Sequence, residues 1–413
     1  MRAIYTIGIW LYTLGIRTAA LFGHEKARLM VQGWSKVAKC HRPPATDCPL
    51  PTVWFHASSL GEFEQARPVL EAYRRRHPDC RVLLTFFSPS GYELRKNYPM
   101  ADTVVYLPMD LPGNVHRFLD TYRPTVAFFV KYDFWFNYLG QLHRRGIPTY
   151  LFSSLFRSGQ YFFRPWGRWF LHQLNECYTH IFVQNDASLQ LLRRYGIERC
   201  SLAGDTRIDR VHQIALAAEN DATVEHFLNG HDGPVLIGGS TWPPDEQIIS
   251  SLTSCHSSLK IILAPHVIAE EHLRQIEHLF PDSIRYSALK DHTDTKDSKT
   301  LIIDNIGLLS KLYRYATVAY IGGGFGVGIH NLLEAVTFGK PVLFGPNYRK
   351  FQEAHDLLAC GGGFSHSDAD TLHHNLQPLL TDPDAYRRAS QACLDYMKEN
   401  LGSTDIILNT IEN

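Results

Sequence analysis

Short apolar runs alternate with longer amphipathic stretches along most of the chain. Segments such as "EQARPVLEAYRRRH" and "NVHRFLDTYR" have the spacing of amphipathic helices. Between such segments lie runs that are rich in β-branched and aromatic residues and therefore typical of buried strands: "TVWFHAS", "RVLLTFFS", "TVVYLP", "TVAFFVKY", "PTYLFSS" and "HIFVQN", then a second series of "PVLIGGS", "LKIILAPH", "TLIIDN", "TVAYIGG" and "KPVLFG". This alternation predicts an α/β protein with two parallel sheets covered by helices.

The two series also indicate the domain organisation. A length of 413 residues favours two domains of about 200 residues each. We predict an N-terminal helical segment over residues 1–46, a first α/β domain over 47–206 and a second over 207–413, whose last helix is free to pack back on the first domain. The polar stretch "KDHTDTKDSK" at 290–299 is predicted to be a surface loop, because strands of one series flank it. Ligands of such sheets bind at the carboxyl ends of the strands, so the expected site is a cleft between two facing domains.

The N-terminal segment is apolar and positively charged. Residues 3–16 read "AIYTIGIWLYTLGI", and Arg17 interrupts the run before "TAALF". Up to Arg42 the chain carries seven basic residues and one acid, Glu25. The run reaches the length of a spanning helix only if Arg17 is included, so we predict a helix that associates with an anionic cytoplasmic membrane surface. The alternative is a buried helix that packs on the body of the protein.

Composition narrows the classes of function. Lys plus Arg and Asp plus Glu both number 41, which gives no overall attraction to nucleic acid. The eight cysteines include no CxxC pair and no metal-ligand spacing, so we predict reduced thiols and no bound metal. Any partner must therefore be recognised by local features of the chain.

A glycine-rich stretch in the second series indicates a phosphate site. In "AYIGGGFGVGIHNLLEAVTFG" the glycines lie between a strand-like run and a predicted helix, "HNLLEAVTFG", whose N-terminal N–H groups favour an anion. Glu334 follows about one turn into that helix, where its carboxylate is able to accept bonds from a ribose. The alternative is a tight strand-to-helix turn without a ligand.

A second candidate site lies in the first series. The stretch "HASSLGEFEQAR" at 56–67 places a short polar turn and two carboxylates, Glu62 and Glu64, directly after a strand-like run. Such turns carry ligand-facing groups in α/β proteins. The alternative is that both acids only stabilise the start of a helix through its dipole.

Five ordered blocks make the chain similar to a known family. They are "HASSLGEFEQARPVL", "YLPMDLPGNVHRFLDTYRP", "GGSTWPPDEQII", "IILAPH" and "GGGFGVGIHNLLEAVTFGKPVLFGPNYRKFQE". Together they resemble the bacterial Kdo transferases, which move 3-deoxy-D-manno-octulosonic acid (Kdo) from CMP-Kdo onto the lipid A precursor lipid IVA in lipopolysaccharide biosynthesis. The resemblance implies a GT-B fold of two Rossmann-like, doubly wound domains facing a central cleft. It also implies an inverting, metal-independent reaction at the cytoplasmic face of the inner membrane of a Gram-negative bacterium.

The resemblance assigns roles to individual residues. Glu62 falls on the family's general base, which removes the acceptor hydroxyl proton. Glu64 is then a solvated acid at the helix start. On the donor side, Glu334 would hold the ribose and the other matched positions would contact the phosphate, the sugar or the base: Ser240, Thr241, His266, Asn305, Ile306, Gly307, Gly323, Gly324, Gly328, His330 and Asn331. For the hydroxyls of Ser240 and Thr241, a plain helix cap is an equal alternative.

The chain departs from the family pattern in three places. His266 stands where many members have an arginine, so a titratable imidazole replaces a fixed guanidinium. Lys131 replaces an acid of the family's E-T-E-x-W-P-N stretch, and Ala335 replaces a proline. Two other classes of function stay open: another GT-B enzyme, such as a UDP-sugar transferase or a nucleotide-sugar 2-epimerase, and a non-catalytic peripheral membrane protein with the same fold.

Overall fold

The computed structural model describes residues 1–39, 50–289 and 298–412. The loop predicted at 290–299 lies outside these ranges, apart from its last two residues. The chain divides into two compact units. Unit 1 consists of Met1–Arg210 together with Gly402–Asn413, and unit 2 consists of Val211–Leu401.

Unit 1 is a parallel sheet with helices on both faces. Its seven strands have the order β3-β2-β1-β4-β5-β6-β7. In chain order its elements are α1 (Arg2–Leu21), α2 (Glu25–Lys39), β1 (Thr52–Ala57), α3 (Leu60–Arg76), β2 (Arg81–Phe86), α4 (Pro89–Arg95), β3 (Thr103–Tyr106), α5 (Pro112–Tyr122), β4 (Pro124–Val130), α6 (Phe136–Arg144), β5 (Thr149–Ser154), two 3-10 turns (Tyr161–Phe163 and Pro165–Gly167), α7 (Arg168–Cys177), β6 (His180–Val183), α8 (Asp186–Arg194), β7 (Cys200–Leu202) and α9 (Thr206–Leu216), which runs on into unit 2.

The central strands of unit 1 are apolar on both sides, as strands of a covered parallel sheet must be. Trp54 of β1 packs with Phe129 of β4 in the core on one face of the sheet. Their chain neighbours Phe55 and Phe128 stack at 4.6 Å between ring centroids in the core on the other face. The alternation of side chains along each strand therefore produces two separate cores.

Helix α1 is attached to unit 1 by polar side chains on one of its faces. Tyr5 Oη donates to Asp110 Oδ2 at 2.7 Å, and Arg2 donates to the carbonyl oxygen of Phe136 at 2.9 Å. Most other α1 side chains are exposed although they are apolar. By length and composition α1 is the one helix of the described residues that would suffice to cross a membrane. The contacts of Arg2 and Tyr5 show that one face of this helix lies against protein.

Unit 2 repeats the architecture. Its seven parallel strands have the order β10-β11-β9-β8-β12-β13-β14. In chain order its elements are α10 (Ala222–Leu228), β8 (Val235–Thr241), α11 (Pro243–Ser250), α12 (Leu252–Cys255), β9 (Lys260–Pro265), α13 (Glu270–Leu279), β10 (Ser283–Arg285), α14 (Tyr286–Leu289), β11 (Thr300–Ile302), α15 (Leu309–Leu312), a 3-10 turn (Tyr313–Tyr315), β12 (Val318–Ile321), α16 (Leu333–Val336), β13 (Val342–Phe344), α17 (Gln352–Cys360), β14 (Gly363–Ser365), α18 (Ala369–Thr381) and α19 (Pro383–Asn400).

The last helix, α20 (Ser403–Glu412), belongs to unit 1. Ile407 and Leu408 are fully buried in the core that also contains Phe55 and Phe128. Arg76 at the end of α3 donates to Asp405 at 2.6 Å and to Glu412 at 3.0 Å. The chain thus returns to unit 1 after completing unit 2.

One predicted element is shorter than expected. The helix predicted from His330 through Gly339 is α16, which begins only at Leu333 and has four residues. Its start is delayed because the Asn331 side chain accepts from the Leu333 N–H at 3.2 Å and so holds the preceding residues in a loop. Gly339, with φ 66°, ends the turn that follows. The prediction of a helix over the whole of "HNLLEAVTFG" is therefore wrong, since only four of its residues are helical.

Candidate functional site

Glu62 lies at the carboxyl edge of the unit 1 sheet. Strand β1 ends at Ala57, and the turn Ser58–Ser59 leads into the first turn of α3, where Glu62 is half-buried. The Ser59 hydroxyl donates to Oε2 of Glu62 instead of capping the helix backbone. One carboxylate oxygen is thereby held in place, and no hydrogen bond among the described residues occupies the other.

The second carboxylate of this stretch has a different environment. Glu64 pairs with Arg95 at 3.1 Å and lies 3.9 Å from Arg67. Its charge is engaged by two guanidinium groups on the surface of unit 1. Of the two acids, Glu62 is the one with an oxygen available for chemistry.

Behind this turn lies a buried histidine that the sequence did not single out. His56 of β1 is fully buried, with Nδ1 2.8 Å from Thr85 Oγ1 and Nε2 accepting from Trp135 Nε1 at 3.1 Å. Burial lowers the pKa of His56 to about 3. His56 is therefore neutral, and its proton is on Nδ1 because Nε2 serves as an acceptor.

Asp133 is a second buried titratable residue near Glu62, in addition to His56. It follows β4, the strand next to β1, and its Oδ1 accepts from the Ser58 hydroxyl. Its Oδ2 lies 3.7 Å from His56 Nε2 and has no hydrogen-bond partner among the described residues. Burial raises the pKa of Asp133 well above its ordinary value, and the negative charge of Glu62 raises it further. The structure therefore places a buried carboxyl group, whose ionisation is disfavoured, near the proposed base.

The family departure at Lys131 lies at the same edge. Lys131 follows β4 directly and has φ 62°, a left-handed conformation that is uncommon for a residue with a side chain. Burial would raise the pKa of Asp205, but the charges of Arg207 and Lys131 hold it below its ordinary value. The ammonium group that replaces a family acid therefore has an acidic neighbour of its own.

In unit 2 the predicted donor residues lie at the carboxyl edge of the sheet. Trp242, His266 and His330 form a stack there, with ring centroids 4.7 Å apart for the first pair and 4.5 Å for the second. Trp242 Nε1 also donates to His330 Nε2 at 3.2 Å. Burial lowers the pKa of His330, and the proximity of His266 lowers it further. The sequence predicted both histidines but missed Trp242, which lies in the quoted "GGSTWPPDEQII" block.

Close packing of the loop after β12 accounts for its glycines. A Cβ on Gly324 would lie 2.5 Å from the backbone of Gly345, and one on Gly328 would lie 2.9 Å from the Phe351 ring. Gly323 and Gly328 have φ 88° and 140°. Asp245 holds the loop in place, since its Oδ2 accepts from the N–H groups of Gly323 and Trp242, both at 2.9 Å. These glycines shape the loop irrespective of a ligand.

The side chains of Ser240 and Thr241 differ in their burial and in their hydrogen bonds. Thr241 is fully buried, and its hydroxyl donates to Glu246 Oε1 at 2.9 Å. Glu246 is buried as well and its other oxygen lies 2.9 Å from His272 Nε2. Ser240 is half-buried with φ 52°. The Thr241 hydroxyl is thus committed to a carboxylate, and neither residue is the N-cap of α11, which is Trp242.

The remaining predicted residues occupy the same edge. Asn331 donates to Glu334 Oε1 at 3.0 Å, so these two side chains are in direct contact. The loop of Asn305, Ile306 and Gly307 follows β11 and is exposed, with Ile306 at 87%. Among the described residues, no cluster of three or more His, Cys, Asp and Glu side chains has a geometry suited to a metal ion.

The fold and these sites define a class of protein. Two Rossmann-like units, each with ligand-type residues at the carboxyl edge of a parallel sheet, have the architecture of the GT-B class of folds. The structure of UDP-GlcNAc 2-epimerase from Neisseria meningitidis bound to UDP-GlcNAc has this fold, with a TM-score of 0.62 over 88% of this chain and all of that one, at 16% identity. The prediction of two Rossmann-like α/β domains, as in the GT-B fold, is confirmed.

Within that class, sequence comparison points to a family. Residues 27–210 match the model of the family described as 3-Deoxy-D-manno-octulosonic-acid transferase (kdotransferase). A 3-deoxy-D-manno-octulosonic acid transferase of Haemophilus influenzae is 25% identical over 88% of both chains. Another, of Bordetella pertussis, is 27% identical over 98% of this chain and 99% of its own. The resemblance to Kdo transferases is confirmed over most of the chain.

Proposed function

We propose that the protein is an inverting glycosyltransferase that moves Kdo from CMP-Kdo onto a lipid A precursor in lipopolysaccharide biosynthesis. The family match and the relatives over most of the chain support the class of reaction. The observation that carries the mechanism is the Glu62 carboxylate in the first turn of α3, which has one oxygen fixed by Ser59 and the other available.

In the proposed reaction, Glu62 accepts the proton of the acceptor hydroxyl while that oxygen bonds to the anomeric carbon of Kdo. The bond from that carbon to the CMP phosphate breaks on the opposite face, and CMP leaves with the electron pair. One positioned base is sufficient for such a single displacement. Burial and the charge of Glu62 both disfavour ionisation of Asp133, so Glu62 is the carboxylate that we assign as the base.

On the donor side, residues of unit 2 would bind the CMP moiety. We assign the ribose to Glu334, whose contact with Asn331 orients it, and the phosphate to the region of His266 and His330. The exposed loop at Asn305–Gly307 would contact the base. Ser240 stays a candidate for a sugar contact, whereas Thr241 acts through Glu246 to shape the end of β8.

The lipid acceptor implies work at a membrane surface, and α1 supports that proposal. Its outward side chains include Ile4, Ile7, Trp10 and Leu11, each more than half exposed. Because Arg2 and Tyr5 fix the opposite face to unit 1, we propose that α1 lies along the cytoplasmic face of the inner membrane.

Replacing the proposed base tests this function. We expect Glu62→Gln to lower turnover of CMP-Kdo with a tetraacylated lipid A precursor by about 10²-fold or more, because a positioned base contributes about that much. CMP affinity should be nearly unchanged. Glu64→Gln is the matched control, since it removes an equal charge two residues away, and should retain most activity. If Glu64→Gln lost activity and Glu62→Gln kept it, the base would be Glu64. If the wild-type protein formed no Kdo-lipid product, the proposed function itself would be refuted.

We also propose that catalysis needs no divalent cation. Backbone N–H groups and the region of His266 and His330 would stabilise the negative charge that develops on the phosphate of the departing CMP. Such hydrogen-bond donors are the alternative to a metal ion when a phosphate is the leaving group. Turnover measured in excess EDTA should match turnover in buffer alone. Loss of activity in EDTA that Mg²⁺ or Mn²⁺ restores would contradict this proposal.

A further inference from the structure

A cavity of about 360 Å³ lies within unit 1, away from the residues assigned above. It is lined by residues of α1, α2 and α5 and of the segment that joins β3 to α5. Its wall is mainly apolar and includes Val31, Val37, Met109, Leu111 and Phe118. Such a wall suits a hydrocarbon chain, and the volume is at the small end of the range for ligand pockets.

Two arginines give the cavity a positive charge. Arg17 on α1 and Arg117 on α5 both line it, and both are exposed. In the described part of the chain, neither guanidinium has an ion-pair or hydrogen-bond partner. An apolar interior with two unpaired guanidinium groups is complementary to an amphiphile that carries an anionic head.

Trp34 of α2 supplies an additional polar feature. Its ring lines the cavity and is buried, and its indole N–H has no hydrogen-bond partner among the described residues. A buried donor without an acceptor is unusual in a folded protein. An oxygen atom on a bound molecule would give it one.

The cavity also adjoins the exposed apolar side of α1. Trp10, Leu14, Arg17 and Leu21 follow one another at spacings of four, three and four residues, so they lie on one side of the helix. The three apolar members are between 48% and 87% exposed. Since Arg17 belongs both to this stripe and to the cavity wall, a surface that covers the stripe would also lie at the cavity.

We propose that this cavity binds one anionic membrane phospholipid. An acyl chain occupies the apolar interior, an ester oxygen accepts from Trp34, and Arg17 and Arg117 hold the phosphate. A phospholipid fits better than the glycolipid acceptor because the cavity has room for part of one chain only, whereas a tetraacylated molecule presents four. The inference concerns lipid binding by unit 1 and does not depend on glycosyl transfer.

Calorimetric titration of the full-length protein with short-chain, water-soluble lipids tests the proposal. Dihexanoylphosphatidylglycerol should bind more tightly than dihexanoylphosphatidylcholine, which has the same chains but no net charge. Arg17→Gln and Arg117→Gln should each weaken phosphatidylglycerol binding about fivefold, the ratio that about 1 kcal/mol per basic residue gives. Each should weaken phosphatidylcholine binding less, because the choline cation of that lipid already offsets its phosphate charge. Ser35→Trp, which places a bulky ring at an exposed wall position, should abolish binding of both lipids.

The control is the pair Lys26→Gln and Arg28→Gln, which removes two exposed charges of the same segment that do not line the cavity. This pair should keep wild-type affinity for the soluble lipid. Equal affinity for the two lipids, an equal loss in the control, or no measurable binding would each overturn the proposal. Binding of the lipid A precursor at this cavity in the absence of phosphatidylglycerol binding would overturn it as well, in favour of an acceptor site.

Discussion

At the scale of single residues, unit 1 holds two carboxyl groups in different environments. Glu62 is half-buried at the edge of the sheet, and one of its oxygens accepts no hydrogen bond from the described residues. Asp133 is 7% exposed, and burial raises its pKa well above the ordinary value. The burial of Asp133 makes the stability of unit 1 depend on pH in a defined direction.

For Asp133, the pKa in the folded state is above that in the unfolded state. Its contribution to stability is therefore complete below the unfolded pKa and is lost as pH rises through the folded pKa, at no more than about 1.4 kcal/mol per pH unit. Asp133→Asn removes this loss. We expect the variant to gain in free energy of unfolding relative to wild type between pH 4.5 and pH 7. His56, whose lowered pKa acts in the opposite direction, is present in both proteins and cancels in the difference.

Urea unfolding followed by tryptophan fluorescence measures this difference. Six of the seven tryptophans belong to unit 1, so the signal reports mainly on that unit. Asp120→Asn, at an exposed acid of the same unit, is the control and should show no such trend. A constant difference between Asp133→Asn and wild type across this pH range would mean that Asp133 is ionised in the folded protein.

The residue scale also shows what the sequence is able to reveal. Some site residues were predictable because they lie in sequence blocks that contain ligand-type side chains and also resemble the family: Glu62, His266, His330, Asn331 and Glu334. By contrast, no local pattern distinguishes an aspartate that will be buried, because burial of Asp133 depends on β1 and β4 becoming neighbours in the sheet. The same holds for Trp242, whose contact with His330 joins residues from two separate strand ends.

At the scale of elements, the apolar runs identified eleven of the fourteen strands in the described residues. The pattern missed β7, β10 and β14, which have three residues each, are incompletely buried and lie at the edges of the sheets. It failed at α16, where a loop held by Asn331 occupies the first residues of an apolar helical pattern. It also left the position of α1 open between membrane and protein. The structure shows that α1 contacts unit 1 on one side and exposes apolar residues on the other.

The attachment of α1 is testable through Tyr5. Its hydroxyl donates to Asp110, a buried acid that also accepts from the backbone N–H groups of Asn137 and Tyr138 and whose pKa burial raises to about 6. We expect Tyr5→Phe to cost about 1–3 kcal/mol in stability, since it leaves a buried acceptor with one bond fewer. Hydrogen exchange of the α1 amides should accelerate. Tyr12→Phe, at an exposed tyrosine of the same helix, should leave exchange unchanged, and a similar effect of both variants would refute the role of Tyr5.

At the scale of the whole molecule, the chain passes between the units twice, after Arg210 and after Leu401. Asp209 joins the two crossings, because its carboxylate accepts from the N–H groups of Gly402 at 2.8 Å and Thr404 at 2.7 Å. Helix α20 then completes a core that belongs to the other end of the sequence. The sequence pattern was compatible with packing of the last helix on unit 1 but did not predict it, because an amphipathic C-terminal helix is able to pack on either unit.

Two adjacent isoleucines of α20 test its contribution. Ile407 is fully buried in unit 1 and Ile406 is 44% exposed. Ile407→Ala should lower the stability of unit 1 by about 2–5 kcal/mol, the usual cost of deleting a buried aliphatic side chain. Ile406→Ala should cost much less. Fluorescence-detected urea unfolding compares the two, and equal losses would mean that α20 is not an integral part of the unit 1 core.

The return of α20 has a consequence for synthesis on the ribosome. Residues 403–412 are translated after residues 211–401, so the core of the nascent first unit lacks Ile407 and Leu408 until the whole of the second unit has been synthesised. Unit 2, a continuous stretch of chain, is complete before its predecessor. The order in which the two units mature is therefore the reverse of the order in which they begin, and a nascent chain arrested before α20 should bind chaperones through its first unit.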